Sequence, residues 1–424
     1  MVGGAHPTKM RWFISTRYFF SHKRQSLVCI AGVTISVTMF IAMLAMMNGF
    51  TDKFINETVE SSGHITVHDE PRERDTQILE RFTPHPDALL SIERTKPRET
   101  VKQIKNPTGL IAQLRRMRGI VAAAPEVQGE AIASYGTKNV NMMIFGIEPE
   151  QQQRVTTIGK DVKEGDFQRL RTTSNGLVIG SGLQKVLGAQ LDDTIVLTSN
   201  TGGRANARIV GVFETGVTPV DYSRAYMLVN DAQTLLDKKN IINRIILRTD
   251  DYTHAEDYAR QIESICGYKT ESWQEASANF LKIFKVQTVI TYVITGALLI
   301  VAAFGVLNIL IMAVLERVND IAILKSFGFS RSDITLIYMC QGLVIGLIGA
   351  TTGVIVGKLT VEGLRALPIK VEGLIKSEGL LMSENLNMYI QAFCASIVIV
   401  MLAAMYPARR AAKYDPVEVI RGAH

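Results

Sequence analysis

The chain has 424 residues, of which 47% are hydrophobic and 20% are charged, and its mean hydropathy is +0.15. A charged share below the roughly 25% usual in soluble proteins, with so many apolar residues, argues against a disordered chain and against an ordinary soluble enzyme. The net charge of +6 is weak support for nucleic acid as a partner, because no nucleic-acid motif accompanies it.

The apolar residues are concentrated in four stretches without a charged side chain, at 27–50, 286–315, 334–357 and 388–406. A bilayer core needs roughly 20 helical residues to cross it, so each stretch predicts a transmembrane helix. Helices in the core of a soluble protein rarely run this long without a charge. No small-residue cleavage site follows the first stretch, which is therefore predicted to be an uncleaved span rather than a signal peptide.

Residues 51–285 separate the first two stretches and have the composition of a globular α+β domain with helical stalk ends. Local patterns predict a helix at 107–114, a strand at 140–145 and a strand–helix–turn–strand unit at 176–199. The segment 69–108 is rich in charge and proline and predicts a loop-dominated insertion.

The chain carries no pattern typical of a catalytic site. His64 and His68 would share one strand face and could bind a metal, but no third ligand is placed by the sequence, so two polar residues on a solvated face are favoured. There is no nucleophile elbow, no zinc-protease motif and no phosphate-binding loop. We expect a non-catalytic chain that binds no cofactor or metal; any ATP would be bound by another chain.

The four cysteines predict no disulfide inside the 51–285 domain. Cys29, Cys340 and Cys394 lie in apolar stretches, and Cys266 is alone in that domain. The domain must therefore be stabilised by its own apolar core, which a segment of this length can build.

The loop 316–333, between the second and third stretches, predicts a short helix because apolar residues recur at helical spacing. Gly328 is positioned to end this helix, and Ser330 with Asp333 to cap the next. Such a helix suits insertion into a groove on a partner protein, but it could equally lie on the lipid surface. The spacing alone does not separate these two alternatives.

Glycines recur through the third stretch, mostly four residues apart, at Gly342, Gly346, Gly349, Gly353 and Gly357. This spacing predicts close helix packing within one subunit. We therefore assign these glycines to packing of the helices and not to a substrate site.

Lysine and arginine in the short flanks predict the orientation, because cytoplasmic loops carry an excess of both. Residues 1–26 contain five basic residues and no acidic one: Lys9, Arg11, Arg17, Lys23 and Arg24. The loop 316–333 and the tail 407–424 are also basic, whereas the 361–387 loop has only Arg365, Lys370 and Lys376. Both termini and the 316–333 loop are therefore predicted to be cytoplasmic, and residues 51–285 and 358–387 to lie on the other side.

Two segments resemble the macrolide-exporter (MacB/FtsX-like) superfamily of ABC permeases. The loop sequence ERVNDIAILKSFGFSRSD, residues 316–333, resembles the coupling helix of that family, and YPARRAAKYDPVEVIR, residues 406–421, is similar to its C-terminal signature. The motifs MMNGF at 46–50 and AAFGVLN at 302–308 resemble the lipoprotein-releasing (LolC/LolE-type) branch in particular.

The resemblance implies a mechanotransmission permease of the bacterial inner membrane. Two chains, identical or paralogous, would pair, and each would dock its coupling helix on a cytoplasmic ATPase subunit that holds ATP and Mg. The machine would extract lipoproteins from the outer leaflet and pass them to a periplasmic carrier. The residues implied in ATPase coupling are Glu316, Arg317, Asp320, Ile321, Leu324, Lys325, Phe327 and Gly328.

The resemblance also implies a substrate cavity at the outer end of the first helix. Methionine is flexible and polarizable, so a methionine-rich wall can accommodate acyl chains, although core or lipid-facing methionine is an even alternative. The predicted cavity residues are Met43, Met46, Met47, Asn48 and Phe50.

Two departures from the branch affect the predicted partners. The connection at 200–204, NTGGR, is short where a carrier-binding hairpin arm of the branch would stand, and the 69–108 insertion is long. Two alternatives stay open: a permease for small-molecule or peptide efflux, and a signalling permease that regulates a cell-wall hydrolase. The efflux branch usually fuses its ATPase to the permease, and the signalling branch usually has a smaller outer domain.

Overall fold

The structure, a computed structural model, describes residues 23–71, 103–369, 371–373, 375–377 and 379–420. Most of the predicted N-terminal segment, and residues 72–102 of the predicted insertion, lie outside this part of the chain. The chain divides into two compact units. We call them the helical unit, within 1–52, 283–370 and 378–424, and the α/β unit, which comprises Lys53–Lys282 and Val371–Ser377.

The described elements are helices and strands of very different length. The helices are α1 (Lys23–Ser62), α2 (Pro107–Leu114), α3 (Pro149–Val155), α4 (Ser181–Leu187), α5 (Thr218–Ser223), α6 (Val229–Leu235), α7 (Ala255–Cys266), α8 (Trp273–Ala276), α9 (Ala278–Glu316), α10 (Val318–Ser326), α11 (Arg331–Arg365), α12 (Leu386–Ala411) and α13 (Pro416–Ile420). The strands are β1 (Ile65–Pro71), β2 (Ile120–Tyr135), β3 (Lys138–Ile147), β4 (Val162–Gly165), β5 (Gly176–Gly180), β6 (Thr194–Ser199), β7 (Arg204–Phe213), β8 (Arg224–Leu228), β9 (Arg244–Thr249), β10 (Tyr268–Ser272), β11 (Val371–Glu372) and β12 (Lys376–Ser377).

Four helices, α1, α9, α11 and α12, are long and apolar enough to cross a membrane. α1 has 40 residues and α9 has 39. At 1.5 Å per residue each is about 60 Å long, roughly twice the thickness of a bilayer core. Both helices therefore continue beyond their apolar stretches. In the α/β unit, Phe54 of α1 contacts Phe280 of α9, with ring centroids 5.3 Å apart.

Within the helical unit, α1 and α9 run antiparallel. The Ser36 hydroxyl donates to the Leu298 carbonyl at 3.2 Å, and the rings of Phe50 and Phe284 meet edge to face at 5.5 Å. Residue numbers thus rise along α1 as they fall along α9, and the two helices point in opposite directions.

α11 packs parallel to α1 through its glycine stripe. A Cβ atom added to any of three glycines would come within 3.0 Å of an α1 side chain: Gly349 faces Val33, Gly353 faces Val37 and Gly357 faces Ile41. Small residues let the backbones approach this closely, and the Thr38 hydroxyl then donates to the Gly353 carbonyl at 3.3 Å.

α12 packs antiparallel to α11 on the remaining glycines. Gly342 lies against Ala404 and Gly346 against Val400. The prediction that the glycine stripe packs helices of one chain is confirmed.

The first part of the α/β unit is an antiparallel sheet in the order β10–β1–β9–β2. α2 and α7 cover it, and their apolar sides share one core with the strands. The fully or nearly fully buried members include Val59, Ile65, Val67, Leu114, Ile245, Leu247 and Ile262.

The second part is a closed barrel. β2 is 16 residues long, and beyond the stretch that pairs with β9 it pairs with β6. The order β2–β3–β8–β5–β7–β6 returns to β2, so six of the described strands form a ring. Its core contains Ile144, Leu177, Ile179, Ile195, Leu197 and Ile209. The α+β character predicted from the sequence is present, whereas the barrel was not part of that prediction.

Candidate functional sites

The ends of α10 are set by local sequence. Gly328 has φ +93°, a left-handed conformation that glycine adopts without steric cost, and it stops the helix. Ser330 then begins α11: its hydroxyl accepts the N–H of Asp333, while the Asp333 carboxylate accepts the N–H of Ser330. This reciprocal cap fixes the short connection between α10 and α11. The predicted helix stop and cap are confirmed.

One side of α10 is packed into the helical unit. Ile321 and Ala322 are each 1% exposed, and Leu324 packs at the edge of the same cluster. The cluster joins α9, α11 and α12 through Val314, Phe329, Ile334, Ile337, Tyr338, Ala408, Ala411 and Ala412. Because protein interiors are close-packed, a displacement of α10 must be passed to these helices. Ile321 and Leu324 therefore position α10 and present little surface to a partner.

Lys325 attaches α10 to the end of α12. Its ammonium group donates to the carbonyl oxygens of Ala412 and Tyr414, each at 2.7 Å. A cation at a helix C-terminus also interacts favourably with the helix dipole. Burial lowers the pKa of Lys325, and the positive charge of Arg331 lowers it further. This role of Lys325 was not foreseen from the sequence.

The tail forms a second short helix beside α10. Asp415 precedes α13 and its carboxylate accepts the N–H of Val417 at 2.9 Å, while Pro416 occupies the first helical position, where its missing N–H costs nothing. α13 packs against α10. The tail signature is thus a structural support for α10.

The outward side of α10 carries both charge and apolar surface. Glu316 and Asp320 are exposed, Arg317 is half-buried and Gly328 is exposed. Phe327 is 75% exposed and Ile323 48% exposed. Ile323 and Phe327, four residues apart, therefore leave apolar surface exposed on the same side of the helix. Ile323 was not among the predicted coupling residues, although its position in the motif was available.

The methionines of α1 differ in their exposure. Met39 is 51% and Met46 48% exposed, and half-buried Met43 shares their side because the spacing of four and three residues follows the helical repeat. Met47, four residues after Met43, is only 8% exposed. In the single chain, the predicted cavity residues Met43 and Met46 can line an outward wall, whereas Met47 faces the chain's own interior.

The end of the apolar stretch of α1 is closely packed within the helical unit. Half-buried Phe50 contacts Phe284 of α9 in the same chain, and Asn48 is half-buried. A Cβ atom at Gly49 would lie 2.5 Å from the Leu381 carbonyl oxygen, so only glycine allows this approach. That Asn48 and Phe50 line a substrate cavity stays a prediction.

The two histidines are not equivalent. His64 is 4% exposed, and its Nδ1 accepts the N–H of Thr249 at 3.1 Å. His68 is half-buried and its Nε2 lies 3.1 Å from Glu271 Oε2. The prediction of two residues on one solvated face is wrong for His64, because the chain bends before β1 and its side chain turns into the core. Among the described residues, no group of three or more His, Cys, Asp or Glu is arranged to hold a metal.

Comparison with known families agrees with this architecture. Residues 26–265 match the MacB-like periplasmic core domain family, and residues 292–416 match the FtsX-like permease C-terminal family. The chain belongs to the MacB/FtsX/LolC family of ABC transporter permeases. The first match contains most of α1 and nearly all of the α/β unit, and the second contains α10, α11 and α12.

Individual relatives include lipoprotein-releasing permeases and a macrolide exporter. The lipoprotein-releasing system transmembrane protein LolC of Neisseria meningitidis is 25% identical over 438 residues, which cover 96% of this chain and 98% of that protein. The lipoprotein-releasing system transmembrane protein LolE of Haemophilus influenzae is 24% identical, with the same coverage. The macrolide export ATP-binding/permease protein MacB of Acinetobacter baylyi is 21% identical over 94% of this chain but only 57% of that protein.

Proposed function

We propose that this permease is the membrane subunit of an ABC transporter that releases lipoproteins from the inner membrane. The observation that carries the proposal is the similarity to two lipoprotein-releasing transmembrane proteins over 96% of this chain and 98% of each relative. The chain would work as a pair, with itself or with a paralogue. ATP and Mg would be bound by a separate cytoplasmic ATPase, and this chain would be non-catalytic.

α10 is the proposed contact with the ATPase. The exposed residues of α10 and of the positions that flank it would enter a groove on the ATPase subunit: Glu316, Asp320, Ile323 and Phe327. Ile321 and Lys325 would pass the motion inward, because they join α10 to three other helices. The alternative of a lipid-bound helix is less favoured, since an interfacial helix would place its apolar residues on the bilayer, whereas here Ile321, Ala322 and Leu324 are packed into the protein.

α1 and α9 would carry the motion outward. Each is a continuous helix that extends past the bilayer thickness into the α/β unit, where Phe54 and Phe280 hold their ends together. A lipoprotein would enter laterally from the outer leaflet without crossing the membrane. The outward methionines Met39, Met43 and Met46 would contact its acyl chains. A periplasmic carrier could then accept it, although β6 and β7 are joined only by residues 200–203.

Site-specific photo-crosslinking tests the proposed cargo and its path. A photoreactive residue at 46, with ATP withheld, should capture acylated lipoproteins in inner-membrane vesicles. The same residue at 37 is the matched control, because Val37 is fully buried against α11 and should capture none. Addition of ATP and a carrier should then release lipoprotein from the vesicles. Capture of phospholipid alone under every nucleotide condition, with no ATP-driven release, would contradict the lipoprotein proposal.

The efflux alternative rests on the MacB relative, which is an exporter by name. It predicts that loss of this chain raises sensitivity to macrolides and leaves lipoproteins correctly localised. The signalling alternative predicts neither effect but altered cell-wall hydrolysis. Depletion of the chain, followed by these three measurements, separates the three functions.

A further inference from the structure

The connection between α11 and α12 contributes a segment to the α/β unit. Val371–Ser377 belongs to that unit, although the chain before and after it belongs to the helical unit. In this segment β11 and β12, which have two residues each, pair as an antiparallel hairpin. Ile375 makes an isolated antiparallel bridge with Val217. Ile375 is fully buried, and the Lys376 N–H donates to the Gly216 carbonyl at 2.8 Å.

Lys376 makes the most extensive contact of this segment. Its ammonium group lies 3.0 Å from Ser181 Oγ, 2.9 Å from Glu214 Oε1 and 3.0 Å from Asp221 Oδ2. A lysine ammonium has three N–H donors, so three acceptors at these distances satisfy it completely. We call these four residues the Lys376 cluster.

Asp221 links the Lys376 cluster to the rest of the α/β unit. Asp221 is fully buried, and its other oxygen accepts the N–H and the hydroxyl of Thr215 at 2.9 and 2.8 Å. Without Lys376 the buried Asp221 carboxylate would have no cation beside it. Removing one partner of a buried ion pair is strongly destabilising for this reason. The segment can therefore leave the unit only at a large cost.

The charges of the cluster reinforce one another. Burial alone would lower the pKa of Lys376, but hydrogen bonds to Glu214 and Asp221 outweigh it and raise the pKa. The hydrogen bond from Lys376 in turn lowers the pKa of Glu214. Both shifts favour the charged form of the group concerned.

We propose that Lys376 is a positioning residue that keeps the α11–α12 connection attached to the α/β unit throughout the transport cycle. The α/β unit is then joined to the moving helices by α1, by α9 and by this third connection, which comes from helices that do not themselves enter the unit. The attachment transmits displacement of α11 and α12 to the α/β unit. This inference rests on the proposed function only in assuming that ATP drives motion of the helices.

The first test replaces the charge. In the full complex with its ATPase, Lys376→Met should lower ATP-driven lipoprotein release at least tenfold, while the chain still inserts into the membrane and copurifies with the ATPase. Lys239→Met is the matched control, since Lys239 is an exposed lysine of the same unit, and it should leave release unchanged. Equal release by the two variants would overturn the proposal.

The second test restores the attachment covalently. Val217 and Ile375 form a bridge pair, and opposed residues in such a pair lie within the distance that a disulfide spans. Val217→Cys with Ile375→Cys, added to Lys376→Met, should recover release when oxidised and lose it when reduced. Failure of the oxidised protein to recover, despite complete crosslinking, would overturn the proposal. A purely structural defect that unfolded the unit would prevent the crosslink from forming.

The third test asks whether the contact stays closed. In the chain that retains Lys376, the same cysteine pair should crosslink equally well in nucleotide-free and vanadate-trapped complexes, and the oxidised protein should keep its ATP turnover. Loss of turnover on oxidation would show that the contact must open and would overturn the proposal. These readouts require no cargo, so they remain decisive if the chain proves to transport something other than lipoproteins.

Discussion

His64 is a buried base at the start of the α/β unit, and it predicts a pH dependence of stability. Burial, and after it the positive charge of Arg248, lower its pKa from 6.5 to about 4. The folded state therefore prefers the neutral imidazole, so the contribution to stability is complete above pH 6.5 and is lost as the pH falls toward 4. This shift corresponds to roughly 3 kcal/mol of unfolding free energy.

The measurement is urea unfolding of the detergent-purified chain between pH 7 and pH 4, in a Trp12→Phe background so that the fluorescence comes from Trp273. This tryptophan is a local probe, because its backbone N–H donates to the His64 carbonyl at 2.9 Å. His64→Gln should lose about 3 kcal/mol less stability over the range than the native chain. His254→Gln, which replaces an exposed imidazole, is the control. Identical pH profiles for His64→Gln and the native chain would refute this assignment.

At the scale of single residues, the sequence predicts features that depend on backbone geometry. Gly328 and the Ser330–Asp333 cap were predictable because helix ends demand particular residues locally. The burial of His64 and the bonds of Lys325 were not, because their partners lie 185 and more than 80 residues away in the chain. No local pattern encodes such distant pairs.

The packing of α11 on α1 predicts a position-specific effect of adding one methyl group. Alanine is favoured over glycine in a helix by about 1 kcal/mol. At Gly353 the new Cβ would lie 2.6 Å from the Val37 Cβ, so overpacking of about 1–3 kcal/mol should outweigh that gain. Gly353→Ala should lower the melting temperature in detergent. Gly363→Ala lies in the same helix with nothing within 4 Å and should not lower it.

Because one side of α10 is packed into the chain, we expect the most exposed apolar side chain, Phe327, to dominate binding to the ATPase. Aromatic residues that fill a partner's pocket commonly cost 2 kcal/mol or more when truncated, which is about 30-fold in affinity. Phe327→Ala should weaken binding to the ATPase by that order and abolish stimulation of ATP hydrolysis. Asp320→Lys should also weaken it. Ser326→Ala is the control, because Ser326 is exposed and its hydroxyl bonds only within α10, to the Ile323 carbonyl.

Binding can be measured on chains that insert normally, as the affinity of the ATPase for proteoliposomes. If Phe327→Ala and Asp320→Lys both bound and stimulated the ATPase like the native chain, α10 would not be the docking helix. If Phe327→Ala kept binding but lost stimulation of ATP hydrolysis, Phe327 would serve to transmit motion rather than to attach the ATPase.

At the scale of elements, periodic segments were predictable and β2 was not. The helix at 107–114 and the strand–helix–turn–strand unit at 176–199 appear where local signals indicated them. β2 contains Ala122, Ala123, Ala124, Pro125 and Gly129, residues with low strand propensity. It is a strand because β3, β9 and β6 pair with it, and closure of the barrel depends on that long strand. Pairing between distant segments cannot be read from either segment alone.

For the whole molecule, the direction of each long helix follows from packing. α1 and α11 run parallel, while α9 and α12 run the opposite way. The start of α1, α10 and the tail helix α13 therefore lie at one end of the bundle. The residues show which segments share a side, and the lysine and arginine asymmetry indicates which side is cytoplasmic.

Cysteine accessibility tests this topology in a variant without its native cysteines. Lys239→Cys, exposed in the α/β unit, should react with a membrane-impermeant maleimide added to intact spheroplasts. Ser326→Cys on α10 and Arg410→Cys near the end of α12, both exposed, should react only after the membrane is opened. Because helix packing places residues 326 and 410 at the same end, the two must behave alike whichever side is labelled. Reaction of Ser326→Cys from outside, with Lys239→Cys protected, would reverse the orientation; different sidedness for 326 and 410 would contradict the bundle itself.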